Sequence, residues 1–373
     1  AKKIATFDLY DQNASADFFD SEWMFGLKEG FDVVIGNPPY GADLKAIEKD
    51  ILDKKYNKLK TANKNSAIYF VYLSNDLLKT NGINSFIVPK SLCYSNGWNK
   101  CASFISIHLK KLIDVGKAFE NVKLEQVVYI HPKYYTGDTF INGLYEDGLI
   151  IEFKPVSKKL FNKYSVLLAG QSQQEINLIL DLIDKYPYRW GDYVKIERGL
   201  NWQSLVSKNH GKVPIYRGAQ LNKYYLSKST DFISLSKFDR SEYEYQFNPK
   251  ILNQLAIAHV QNPYPHFYLQ AVLDFDNKLV FETISCTFVK TNKVDLKFLL
   301  ALNNSNLFAW LLYKFVYSNA IRSTRYDEEY IRKIPCPKFE NINQQPFITL
   351  VDQILAAKKQ HTPLSPLDRG ELA

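Results

Sequence analysis

Phe31-Asp32-Val33-Val34-Ile35-Gly36-Asn37-Pro38-Pro39-Tyr40 is the stretch from which the rest of the 373-residue chain is read. Phe, Val, Val and Ile in close succession predict a strand buried on both faces, at the centre of a parallel sheet. Two prolines then deny the ladder its next donors, so the strand must stop in a stiff corner. Ligands of open α/β sheets bind just past the carboxyl ends of the strands. The sequence places a carboxamide (Asn37), two backbone carbonyls of restricted direction (Pro38, Pro39) and an aromatic ring (Tyr40) there in a row.

Such a set suits one kind of chemistry. An exocyclic amine on an aromatic ring is a poor nucleophile, because its lone pair is delocalised into the ring. Two acceptors held close to its hydrogens, the Asn37 side-chain oxygen and the Pro38 carbonyl, would draw the nitrogen towards a tetrahedral, attacking geometry. A base carrying that amine is shielded inside a duplex, so it has to swing out, and Tyr40 can then stack on it. Asn and Pro also make plain turns, but the apolar strand ahead and the segments behind favour a site. In that setting Asn37-Pro38-Pro39-Tyr40 resembles motif IV of the gamma-class N6-adenine DNA methyltransferases, the kind found in type IIG-like restriction-modification enzymes.

The resemblance implies an α/β, Rossmann-like methyltransferase sheet, present in part, over residues 1–165, and an α+β target-recognition domain with a closing helix over residues 166–373. Periodicity agrees with the first half. A helix is predicted from about Ser66, with Tyr69, Phe70, Leu73, Leu77 and Leu78 at helical spacing and Asn81-Gly82 as its stop. A strand over residues 83–88 ends at Pro89-Lys90-Ser91, similar to the family's motifs V and VI. A helix near residues 97–109 and strands at residues 112–115 and 126–130 continue an alternation that predicts a doubly wound sheet. Phe119, in the loop before the last of these, matches the family's aromatic against the far edge of the flipped adenine; a buried Phe is equally the ordinary core residue. Residues 45–64 are lysine-rich and read as a weakly ordered, solvated segment able to close over DNA. Residues 14–30, acidic and aromatic, are similar to the family's segment before motif IV.

One expected part is missing. No glycine-rich strand-loop-helix for the methionine end of S-adenosylmethionine precedes Phe31, and the chain opens without methionine. Both lead to the expectation of a piece of a longer protein that binds its cofactor weakly or not at all by itself.

Length favours two domains. With 46% apolar and 23% charged residues the composition is that of a globular protein, no stretch suits a bilayer, and no signal peptide is visible. A net charge of +8 suits a polyanionic partner. Cys93, Cys101, Cys286 and Cys336 lack Cys-x-x-Cys spacing and the six histidines include no His-Glu-x-x-His, which argues against zinc and disulfides and for reduced thiols in a prokaryotic cytoplasm.

Beyond residue 166 short strands predominate, at residues 193–197, 213–216, 255–259, 268–273 and 285–289, followed by helical runs at 296–302, 306–315 and 347–359. The layout resembles a target-recognition domain, or half of a type I specificity subunit. The resemblance puts the strand near residues 193–199 and the loop near Arg322 close to double-stranded DNA. Arg198, Arg217, Arg322 and Arg325 have the fork geometry for guanine edges or phosphates, Lys90 joins them as a candidate DNA contact, and Lys208 and Lys212 could neutralise phosphates. The implied activity is adenine-N6 methylation from S-adenosylmethionine, with Mg2+ needed only if a nuclease lies upstream. The rival readings are a DNA-binding specificity module without catalysis, and methylation of RNA or of a protein glutamine.

Overall fold

A computed structural model describes residues 21–41, 44–57, 65–120, 122, 124–201, 203–207 and 213–360. Lys208 and Lys212 therefore lie outside the described residues, as do residues 1–20.

The first half is a six-stranded mixed sheet in the order β1-β2-β4-β3-β5-β6, built from Phe31–Gly36 (β1), Leu78–Pro89 (β2), Lys111–Gly116 (β3), Gln126–Pro132 (β4), Thr139–Glu146 (β5) and Leu149–Ser157 (β6). β1 runs parallel to β2 and β3 parallel to β5, while β4 lies antiparallel between β2 and β3. The carboxyl ends of β1, β2 and β3 thus share one edge of the sheet. Gly30 makes the entry to β1 feasible, because its φ of +98° is left-handed and a Cβ there would sit 2.5 Å from the Leu77 carbonyl. Helices α1 (Ala67–Leu77) and α2 (Asn99–His108) pack on the sheet, and Tyr72 of the first meets Phe104 of the second edge-on at 5.2 Å.

Three expectations change. β1 is not a doubly buried central strand but the edge of the sheet: among the described residues no strand pairs with its outer side, and Val33 and Ile35 are 55% and 77% exposed. Its apolar run describes what the strand is built to face, and nothing described covers it. Asn81-Gly82 does not stop α1, which ends at Leu77 and passes directly into β2; the two residues lie where the β1–β2 register shifts. The lysine-rich segment includes a helix, Ala46–Lys55, held to α1 by Tyr69 donating to Asp53 at 2.6 Å, with Tyr56 at its end donating to Asp76 at 2.9 Å.

In the second half, Ala271–Asp274, Lys250–Gln254, Ile284–Val289 and Val194–Arg198 form an antiparallel sheet, beside a three-stranded one of Asp231–Ile233, Val213–Tyr216 and Leu279–Val280. Helices Leu296–Asn303, Asn306–Leu311 and Gln345–Gln360 close the chain, the second continuing as a π-helical turn, Leu312–Val316. One apolar core runs from Tyr56 and Ile68 through Leu168, Phe315 and Tyr317 to Val351, so it crosses the expected boundary at residue 165. No described helix is long and apolar enough to cross a membrane, and the four cysteines are buried and free.

Candidate active site

The corner after β1 is assembled from below. Asn84 on β2 is buried and donates from its side-chain nitrogen to the Val34 carbonyl at 3.1 Å, while Tyr129 on β4 donates to the Asn84 side-chain oxygen. A buried amide left half-satisfied costs about 1–3 kcal/mol, so both bonds hold β1 where it is. Next, the Tyr40 hydroxyl donates to the Ile87 carbonyl of β2 at 3.1 Å, and burial pushes that hydroxyl up to about 12. It is therefore a neutral donor at physiological pH, with its ring half-buried. Finally, Ser66 donates to the Pro39 carbonyl at 2.7 Å.

Pro38 is buried, whereas Asn37 and Pro39 are exposed. Among the described residues no hydrogen bond engages the Asn37 side chain or the Pro38 carbonyl. The two acceptors that the sequence singles out are thus unspent, at the carboxyl edge of the sheet.

Phe119 lies on that same edge, between β3 and β4, and is 39% exposed rather than core. Pro89 and Gly116 both register with Gln126, which brings the turns after β2 and β3 together. Lys90 follows Pro89 directly but does not face solvent: it is 3% exposed and donates to Asp114 of β3 at 2.5 Å. This corrects its reading as a DNA contact, since reaching a phosphate would mean breaking a buried ion pair. The other Asp114 oxygen accepts from the Gly116 amide at 3.0 Å, and Gly170, with φ of +81°, passes so close that a Cβ would fall 2.5 Å from the carboxylate.

The basic loop of the second half is fastened to this edge. Ser318 accepts from the Ala169 amide at 2.9 Å, Asn319 donates to the Gly170 carbonyl at 3.0 Å, and the Ile321 amide donates to Glu125 at 3.0 Å. Thr324 and Tyr326 are stitched to residues 255–257 by backbone bonds of 3.1 and 2.7 Å. Arg322 and Arg325 project from this frame, exposed and without an ion pair among the described residues. Arg198 and Arg217 differ. Arg198 forks onto Asp327, its Nε 2.8 Å from one oxygen, and Arg217 pairs with buried Asp231 while lying over the Phe281 ring at 4.5 Å. Sequence reasoning passed over Ser66, Asn84, Tyr129 and Glu125, whose partners lie 27 to 196 residues away; a serine just before a helix carries only the signal of a cap.

With this geometry in place, the comparisons agree on a class. Residues 2–120, which include the corner and Phe119, match the Eco57I restriction-modification methylase family. Among curated relatives, the chain is similar to the type II restriction enzyme and methyltransferase RM.Eco57I of Escherichia coli, 28% identical over 222 residues, 53% of this chain and 20% of that protein. It is also similar to a Methanocaldococcus jannaschii protein described as a candidate type II restriction enzyme and methyltransferase, 31% identical over 184 residues, 44% of this chain and 14% of that one. The matches thus take in no more than a fifth of either relative. Among solved structures, the type IIL restriction-modification enzyme MmeI in complex with DNA superimposes over 89% of this chain and 50% of its own, with a TM-score of 0.51 at 12% identity, which shows a shared fold.

Proposed function

We propose that the chain supplies the amine-binding corner and the target-recognition portion of a DNA adenine-N6 methyltransferase in a restriction-modification system, with residues 1–165 belonging to the catalytic domain and residues 166–373 to recognition. The observation that carries this is the pair of acceptors that no described hydrogen bond uses, the side chain of exposed Asn37 and the carbonyl of buried Pro38, at the carboxyl edge of the sheet inside the segment that matches the methylase family. S-adenosylmethionine, the donor that the family implies, would supply the methyl group. Its fit is not met by the described residues, which contain no glycine-rich turn against β1, so the roles below concern the acceptor base alone.

Asn37 and Pro38 accept the two hydrogens of the adenine amine and localise its lone pair for attack. The Tyr40 ring, anchored through its hydroxyl to Ile87, stacks on the flipped base, and Phe119 meets the opposite edge. No base is required beforehand, because the methylated nitrogen is acidic enough to release its proton to solvent. Arg322 and Arg325 contact phosphates or guanine edges of double-stranded DNA, Arg198 orients their loop through Asp327, and Arg217, paired with Asp231, braces the neighbouring three-stranded sheet.

Exposed Arg322 and Arg325, which no described ion pair uses, also suit a second reading, a specificity module that binds DNA without catalysis. The two separate in one experiment. Full-length protein and Asn37→Ala are each given S-adenosylmethionine with a random duplex library, with tRNA and with bulk protein. Methyl transfer to duplex adenine, lowered at least about 100-fold by Asn37→Ala, is the expected result. Binding without transfer in both proteins would establish the specificity module, and transfer only to tRNA or protein would overturn the DNA reading.

A further inference from the structure

We infer that Ser66 is a positioning residue for the acceptor corner: by holding the Pro39 carbonyl inward it turns the Pro38 carbonyl outward, towards the amine. The inference rests on the reading of Asn37 to Tyr40 just proposed.

A serine immediately ahead of a helix normally accepts a backbone N–H of the first turn. Ser66 does not. Its backbone is already helical, with φ −60° and ψ −30°, and its side chain makes no cap hydrogen bond. The cap is supplied by Asn65, whose side-chain oxygen accepts from the Ala67 amide at 3.0 Å. The Ser66 hydroxyl, fully buried, is instead spent on the Pro39 carbonyl at 2.7 Å.

The direction of one carbonyl matters here because the corner has few degrees of freedom. Pro38 and Pro39 have φ locked by their rings, and Asn37 and Pro38, each preceding a proline, are confined to extended backbone. In such a polyproline-like run successive carbonyls are rotated by roughly a third of a turn. Once Pro39 points at Ser66, the Pro38 carbonyl must point elsewhere, and it is left without a partner among the described residues. The Tyr40 hydroxyl on the Ile87 carbonyl fixes the far side of the same corner. The corner is thus held on both sides of the acceptor, and Ser66 acts on it only through the Pro39 carbonyl.

Steady-state methyl transfer from S-adenosylmethionine into a random duplex library tests this, using full-length protein, Ser66→Ala, Ser66→Thr and Asn37→Ala. Ser66→Ala should lower kcat roughly tenfold, with KM for duplex and for cofactor unchanged and only a small drop in thermal midpoint. Ser66→Thr, which keeps the hydroxyl, should recover most of the rate. Should Ser66→Ala melt early, Ser66→Cys, near in size and a weaker donor, should still show reduced kcat at unchanged KM. An active parent with an inactive Asn37→Ala but wild-type kcat in Ser66→Ala overturns this inference alone. Loss of rate that Ser66→Thr does not rescue overturns it too. A parent that puts no methyl group into DNA overturns instead the reading on which it rests.

Discussion

Two neighbouring parallel strands run out at or just before a proline, and their ends have opposite fates. After β1, Asn37 is exposed and its side chain unspent. After β2, Lys90 is buried against Asp114, and Tyr94 packs edge-on against Tyr317 and Tyr330 at 5.1 and 6.2 Å. The cause is what lies above each end. The segment around residues 317–333 covers the turn after β2, where Lys333 also donates to the Tyr94 and Ser165 carbonyls at 3.3 Å, and it leaves the end of β1 open. An apolar strand followed by proline therefore marks only where the chain leaves the sheet. Chemistry requires, in addition, polar groups that the fold has not already used.

The largest expected effect breaks the comparison on the closed side. Lys90→Ala strands a buried carboxylate and should lower unfolding free energy by about 3–5 kcal/mol, whereas the apolar double variant Lys90→Met with Asp114→Leu should recover most of that loss. Urea denaturation of the three proteins is the measurement; equal stability of Lys90→Ala and the parent would remove the distinction between the two ends.

A second effect contrasts partnered and unpartnered buried groups. His131 on β4 faces Asn84 across the ladder, is buried, and has an Nε2 without a partner among the described residues. Burial, with a smaller contribution from nearby His108, lowers its imidazole from 6.5 to about 4. The unfolded chain therefore binds the proton first, so the contribution is whole above pH 6.5 and is lost as pH falls to about 4, a change of about 3 kcal/mol. His131→Phe, stacked on Phe104, should flatten that acid limb in denaturation curves between pH 7 and pH 4. An unchanged slope would refute the assignment.

The smallest effect sharpens the open side. Arg322→Ala and Arg325→Ala remove charges that no described ion pair uses, and each should weaken duplex binding by about 1–3 kcal/mol at unchanged stability. Arg217→Ala should do the reverse, destabilising the fold by removing an ion pair to buried Asp231. Filter binding at several salt concentrations, paired with thermal melts, separates the two classes.

Much of this was legible in residue order. The strand that ends in Asn37-Pro38-Pro39-Tyr40, the helix that follows it, and the strands at residues 213–216 and 284–289 all follow from local pattern, because turn chemistry and periodicity act over a few residues. What pattern cannot supply is cover. Val33 and Ile35 read as core, and only the strand order shows that among the described residues β1 lies at an edge. Likewise the pairing of Arg198 with Asp327 spans 129 residues, and the lysine after Pro89 looks like any surface cation until Asp114 is found beneath it. A strand also begins where a helix stop was expected, since Asn81-Gly82 serves a register shift in β2 instead.

The bonds that tie Ser318, Asn319 and Ile321 to Ala169, Gly170 and Glu125, laid over one continuous apolar interior, join the arginine loop to the sheet. On the proposed function, a loop and corner joined in this way would leave part of the bending to the nucleic acid, and sequences that kink cheaply would then be favoured at positions no side chain touches.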